Sequence, residues 1–266
     1  MIESLALLGG APVRSTPFPA WPVASPADHE AVQEVLASGA WAYLSRQGAF
    51  GSQTTAFHAA FAARHNAKHA LLVANGSVAL EVALLAAGIG RGDEVILPPL
   101  TFVATANAVV RSGAVPVFAD VDPQTLCLDP SAVEAALTPR TRAVIPVHLG
   151  CCLADMDAFS TLAARHNLIL IEDCAHVAGA SWQGRGVGSF GALGCFSFQL
   201  TKPLTCGEGG AVVTSVEELE VACYALLNCG RSRPGDVVRP CPLGWNLRLG
   251  ELQAALLNSQ FQRLDF

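Results

Sequence analysis

From about residue 70 the chain alternates strand-sized apolar runs with helical stretches, and this alternation restricts the fold more than any single motif. The runs fall at 70–73, 94–97, 115–118, 142–147 and 168–172, with helical patterns at 77–87, 102–111, 130–137 and 155–165 between them. Strands of that length separated by ten-residue helices predict a mostly parallel sheet in an α/β fold, with helices on both faces. The tempo then changes. Strands at 193–198 and 210–214 flank a glycine-rich turn, and helices resume at 216–227 and 249–264. Two helices precede the sheet: one from Ala27 to about Ser38, and one from Thr54 to His65 with Phe57 and Phe61 spaced i,i+4. Residues 9–28 hold five prolines and the Gly9-Gly10 pair, an extended arm whose Phe18 and Trp21 need cover from their own subunit or a neighbour. The last helix is rich in apolar residues (Leu256, Leu257, Phe261, Leu264 and Phe266), for which a partner subunit or a second domain is expected to provide cover.

Composition narrows the function classes. Net charge is -6 with 14% charged and 52% apolar residues, and no basic run exceeds two residues, so neither nucleic acid nor a membrane surface is an expected partner. The low charged fraction fits a protein with a large subunit interface or a missing domain. Nine cysteines, an odd number without a Cys-x-x-Cys, read as free thiols; Cys127, Cys174, Cys195, Cys206 and Cys223 lie in or beside apolar segments. A reducing, cytoplasmic location is expected. No signal peptide or membrane span is expected either, because Glu3 interrupts an N-terminus that lacks basic residues and the apolar runs are short.

Three strand ends carry candidate chemistry, where open α/β sheets place their ligands. Ala74-Asn75-Gly76-Ser77 turns from strand into helix, offering a close backbone approach and helix N–H groups to an anion, or simply a helix cap. Ile171-Glu172-Asp173-Cys174-Ala175-His176 ends an apolar strand with two acids. A carboxylate there can hold a protonated pyridine nitrogen, a magnesium ion or a sugar hydroxyl, or cap the next helix. Ser197 and Lys202 lie between an apolar strand and Gly207-Glu208-Gly209-Gly210, where a lysine amine can be desolvated and made nucleophilic. Other motifs fail on order or content. Gly88-Ile89-Gly90-Arg91-Gly92 precedes a strand instead of following one, Gly184 to Gly191 lacks a Gly-Lys-Ser/Thr, and no His-Glu-x-x-His or Gly-x-Ser-x-Gly occurs. No metal site is expected.

Taken together, these stretches resemble the pyridoxal-phosphate-dependent sugar and cyclitol aminotransferases, a family that includes the 3-amino-5-hydroxybenzoate synthases. The likeness also runs through Gly92-Asp93-Glu94-Val95-Ile96, Thr101-Phe102-Val103-Ala104-Thr105, Pro146-Val147-His148-Leu149, Ala154-Asp155-Met156-Asp157 and Trp245-Asn246-Leu247-Arg248-Leu249 with Glu251. It implies the aspartate-aminotransferase-like fold (fold type I), with an arm at 1–28, a pyridoxal-5'-phosphate-binding large domain at 29–248 and, at 249–266, the start of a helix leading to a largely missing C-terminal domain. It implies Lys202 as the lysine that binds the cofactor covalently and shuttles the proton, Asp173 as partner of the pyridine nitrogen, and His176 beside the ring. Phe102 would stack on the ring, while Gly76, Ser77 and Ser197, with Asn246 from a neighbouring subunit, would hold the phosphate.

The implied reaction moves an amino group from glutamine or glutamate to a keto-cyclitol or keto-sugar in antibiotic-type biosynthesis, in a homodimer with shared active sites. The Gly9-Gly10 opening and the Phe18-Pro19-x-Trp21-Pro22 arm lean toward an unactivated ring. A dehydrating, aromatising enzyme of the aminohydroxybenzoate kind and a catalytically silent partner of a longer homologue are the alternatives. Gly150-Cys151-Cys152-Leu153, and a 46–52 segment without Gly-Pro, depart from the family pattern.

Overall fold

The computed structural model describes residues 4–45, 49–150, 152–233 and 243–264. Arg46 to Gly48, Cys151 and Phe266, which figure in the sequence reading, lie outside the described residues. After the arm come α1 (Pro26–Ser38) and α2 (Ser52–Arg64). The core then runs β1 (His69–Val73), α3 (Gly76–Ala86), β2 (Glu94–Leu97), α4 (Ala104–Ser112), β3 (Val115–Phe118), α5 (Pro130–Ala135), β4 (Thr141–Val144), α6 (Met156–His166) and β5 (Ile169–Asp173). A two-stranded ribbon, β6 (Ser181–Trp182) with β7 (Arg185–Gly186), precedes β8 (Leu193–Ser197) and β9 (Gly210–Thr214), and α7 (Glu217–Leu227) and α8 (Glu251–Phe261) follow. The expected elements are present within a few residues of their predicted ends; the ribbon was not foreseen, its strands being too short to leave a periodic pattern.

The seven-stranded sheet has the order β1-β9-β8-β5-β4-β2-β3. Strands β3, β2, β4, β5 and β8 run parallel to one another; β9 is antiparallel to both β8 and β1. The change follows from the connections. Helical crossovers return the chain to the same sheet end, whereas the turn after β8 contains no helix and reverses it. Because β9 runs backwards between β8 and β1, the C-terminal ends of β1, β5 and β8 share one sheet edge. Register fixes this closely: Val73 pairs with Gly210, and Gly210 pairs with Ser197. The sheet therefore sets the Asn75-Gly76 turn beside Ser197.

The core is apolar and continuous. Phe57 and Phe61 stack at 5.1 Å, and both meet the ring of Phe198 edge-on. Asn75, Asp129 and Asp155 cap α3, α5 and α6, each accepting a backbone N–H of the first turn. Cys127, Cys174, Cys195, Cys206 and Cys223 are buried free thiols.

The expectation for the last helix needs correction. Leu257 is fully buried, while Leu256, Phe261 and Leu264 pack against the core from within the chain. The cover comes from α1 and α2, fixed by polar ties between distant residues. Asp28 accepts from Ser259 (2.6 Å) and Arg263 (2.7 Å), and Glu251 accepts the Gln53 and Thr54 N–H groups at the start of α2. Local patterning showed an apolar face without showing which earlier helices would lie on it.

Candidate active site

Asp173 closes β5 with its carboxylate buried. Its Oδ2 accepts from the Thr105 hydroxyl at 2.9 Å, and its Oδ1 from the Ala175 N–H at 3.2 Å. Burial pushes the Asp173 carboxyl above the usual carboxylate range, and these two hydrogen bonds, with His176 and His148 nearby, pull it back. The adjacent acid does different work. Glu172 points to the other side of the strand and accepts the N–H groups of Gly188, Phe190 and Gly191 at 2.7 to 2.8 Å. It anchors the loop between the ribbon and β8, which strand alternation requires of one acid in an adjacent pair.

Lys202 follows β8 in the turn toward β9 and is half-buried. Burial lowers its amine below the ordinary lysine range, and the Asp173 carboxylate opposes that shift. His176 feels the charges of both. Its Nδ1 accepts the Gly150 N–H at 3.1 Å, so in the neutral ring Nε2 carries the proton. Burial and the Lys202 cation hold this imidazole below its usual range.

Gly76 opens α3 against β8. A Cβ placed there would lie 2.7 Å from the Ser197 Cβ, so only glycine permits this approach. Gly210 is equally confined, its virtual Cβ falling 2.5 Å from the Asn75 carbonyl carbon. The α3 N-terminus, exposed Ser77 and the Ser197 hydroxyl thus form a small polar cradle with the positive end of a helix dipole.

Phe102 is 69% exposed in the turn that precedes α4, and Thr105 in the first turn of that helix bonds to Asp173. Asn246 is exposed and pairs through its backbone with Asn228, in a segment that also pairs Arg248 with Val73. No hydrogen bond among the described residues joins Asn246 to the other nominated residues.

Several contacts had no sequence signal. Thr105, the Gly150 N–H and the Trp21 indole, which donates to the Leu200 carbonyl at 2.6 Å, all meet partners remote along the chain. Behind Asp173 the ligand atoms of His148, Glu172 and Cys174 lie within 4.8 Å of one another. Glu172 already serves three backbone donors, and burial holds the Cys174 thiol well above its usual range. Those properties fit packing better than metal ligation.

This geometry agrees with the comparisons to known proteins. The sequence model of the DegT/DnrJ/EryC1/StrS aminotransferase family matches residues 24–266. The chain belongs to that family. It is 47% identical over 267 residues to a putative L-glutamine:3-amino-2,3-dideoxy-scyllo-inosose aminotransferase of Streptoalloteichus tenebrarius, covering 100% of this chain and 63% of the relative. It is 46% identical to the L-glutamine:2-deoxy-scyllo-inosose aminotransferase of Streptomyces lividus, covering 100% of this chain and 65% of the relative. The crystal structure of 3-amino-5-hydroxybenzoic acid synthase superposes with a TM-score of 0.86 at 43% identity, over 94% of this chain and 64% of that one. The chain thus spans about two-thirds or slightly less of the relatives it matches. Its sheet is the mixed, mostly parallel one of the family's cofactor-binding domain.

Pyridoxal phosphate is a defining cofactor of the family, and the residues present suit it. A glycine-confined cradle at a helix N-terminus suits its phosphate, a buried carboxylate suits its ring nitrogen, and a partly desolvated lysine suits its aldehyde.

Proposed function

We propose that this chain is the cofactor-binding part of an aminotransferase that moves an amino group from glutamine or glutamate to a keto-cyclitol. The observation that carries the reading is the meeting of Lys202, Asp173 and the Gly76–Ser197 cradle at one sheet edge, from three strand ends far apart in sequence. The relatives named for scyllo-inosose aminotransfer support the acceptor class.

When bound, pyridoxal phosphate supplies a cationic ring that accepts the electron pair released at a substrate carbon. The chain's residues do the rest. The N–H groups of α3, the Ser77 side chain and the Ser197 hydroxyl hold the phosphate. Asp173, kept ionised by Thr105 and Ala175, receives the ring N–H and favours the cationic ring. Phe102 covers one ring face, and His176 offers its Nε2–H beside the ring. Lys202, with its lowered pKa, would hold the cofactor's aldehyde carbon and would take and return a proton at Nζ.

Asn246 belongs in this reading to the phosphate site of a second copy, making the enzyme a homodimer with shared sites. Exposed Leu100, Phe102, Leu200 and Trp245 are apolar surface such a partner covers. No helix among the described residues is long and apolar enough to cross a membrane. The buried free thiols favour the cytoplasm.

The test is spectroscopic. The full chain mixed with pyridoxal phosphate is expected to develop a visible band that borohydride reduction fixes to Lys202, and glutamine is expected to bleach it. Addition of 2-deoxy-scyllo-inosose should then regenerate the band and yield the aminocyclitol. Similarity to 3-amino-5-hydroxybenzoic acid synthase supports a second reading, and loss of water from an amino-ring acid in place of amino transfer would select it. A chain that never develops the band is a silent partner.

A further inference from the structure

We propose that Thr105 is a positioning residue that aims the ionised Asp173 carboxylate at the cofactor's ring nitrogen and ties Phe102 to the same point. The proposal rests on the pyridoxal phosphate reading and adds to it a residue outside the set that touches the cofactor.

Thr105 is 1% exposed, in the first turn of α4. Its Oγ1 lies 2.9 Å from Asp173 Oδ2, 2.8 Å from Thr101 Oγ1 and 3.2 Å from the Phe102 carbonyl oxygen. A hydroxyl has one proton to give. The carboxylate is the shorter contact and the charged acceptor, so the proton goes there. Thr101 can then donate to the lone pair that Thr105 keeps. Two hydroxyls in series thus end on Asp173, and the Thr105 N–H also holds the Phe102 carbonyl at 3.1 Å. One buried threonine therefore links the group expected under the ring nitrogen to the group expected on the ring face.

The surroundings show why that hydroxyl matters. Asp173 is faced by Cys174 and His176 from the turn after its strand, while Glu172 lies on the strand's other side. His148 faces it from the segment after β4, Cys195 from β8, and Lys202 from the turn after β8. Glu172 is occupied by its loop, and both thiols are neutral through burial. Among the described residues, the hydrogen bonds that reach the carboxylate and favour its charged form come from Thr105 and Ala175, and Thr105 alone serves Oδ2. Burial already holds this carboxyl above the usual range; without the hydroxyl it meets less opposition, and the carboxyl holds its proton to still higher pH. A protonated Asp173 no longer favours the ring N–H.

The experiment compares the full chain with Thr105→Val and Thr105→Ser. Selectively carbon-labelled aspartate, with Asp173→Asn to assign the signal, gives the Asp173 titration without cofactor; absorbance titration gives the affinity for pyridoxal phosphate. Thr105→Val is expected to raise the Asp173 midpoint by about one pH unit and weaken cofactor affinity roughly tenfold. Thr105→Ser, which restores the donor, is expected to recover both. A merely structural threonine would leave the midpoint in place.

An unmoved midpoint with unchanged affinity in Thr105→Val overturns the proposal while the cofactor reading stands. If the unsubstituted chain takes up no pyridoxal phosphate, the cofactor reading fails and the proposal, which depends on that cofactor, falls with it; the aspartate titration then shows only whether the hydroxyl controls the carboxyl. Should Thr105→Val not fold, Thr101→Val removes only the outer hydroxyl. Its Asp173 midpoint is expected to move up by a smaller step, and no movement overturns the proposal.

Discussion

The N-terminal arm and the strand ends around Asp173 use similar apolar and aromatic residues to opposite effect. In the arm before α1 Leu7, Val13 and Phe18 stand open to solvent, and among the described residues its hydrogen-bonded tie beyond α1 is the bond from the Trp21 indole to the Leu200 carbonyl. Around the strand ends Phe198, Leu204 and Cys206 are buried, and so are the polar Thr105, Asp173 and Ser197, each with a hydrogen-bond partner. The arm has apolar surface and nothing of its own to bury it against. The strand ends have polar groups and a sealed wall behind them, and it is the wall that shifts their proton affinities. Composition alone does not make a site; enclosure does.

Substitutions separate the two regions. The largest effect is expected from Lys202→Ala, which should abolish covalent pyridoxal phosphate uptake, read as loss of the borohydride-fixed visible band. Glu172→Ala strands three backbone donors in the core, so urea unfolding should show a loss of about 3 kcal/mol or more. Asp173→Asn should still take up the cofactor at saturating concentration, with an affinity lowered at least as far as in Thr105→Val, while slowing the glutamine half-reaction roughly a hundredfold in stopped-flow absorbance, because the fixed charge beside the ring is gone. A fold lost in that variant would mean that Asp173 is structural, like its neighbour.

A pH experiment sharpens the same contrast. The amine attacks only when deprotonated, so uptake should accelerate as pH rises through the Lys202 pKa. Since burial lowers that pKa, the half-rise should come below the 10.5 of an ordinary lysine. A half-rise at the ordinary value would remove the enclosure argument for Lys202. The smallest effect is expected from Phe18→Ser, under about 0.5 kcal/mol in the urea unfolding of the monomer. Analytical ultracentrifugation of the same variant should show weaker self-association, because the homodimer reading gives the arm a second copy to lie on.

Much was legible before the structure. The strands of the large sheet and the helices announced themselves through their period, and Lys202, Asp173 and Ser197 stood out because polar groups closing apolar strands need a reason to be there. The Gly76 turn was visible as a strand-to-helix junction, although its confinement against Ser197 was not. The ribbon at 181–186 is too short to carry a period, and the cover of α8 by α1 depends on Asp28 meeting residues more than two hundred positions away. The roles of Glu172 and Asp173 could not be separated from the text of the chain, since either acid could have faced the site.

What the sequence determined by itself was local: the order and length of the elements, their buried faces, and the residue types at the strand ends, all of which follow from side-chain periodicity and backbone preference. Only the tertiary structure decided the neighbours. Reversal of β9 brought the ends of β1 and β8 to one edge with β5, and α4 delivered Thr105 to Asp173 across 68 residues. The physical reason is that periodicity reports which side of an element avoids water, whereas hydrogen-bond partners and proton affinities depend on which elements the sheet order places side by side.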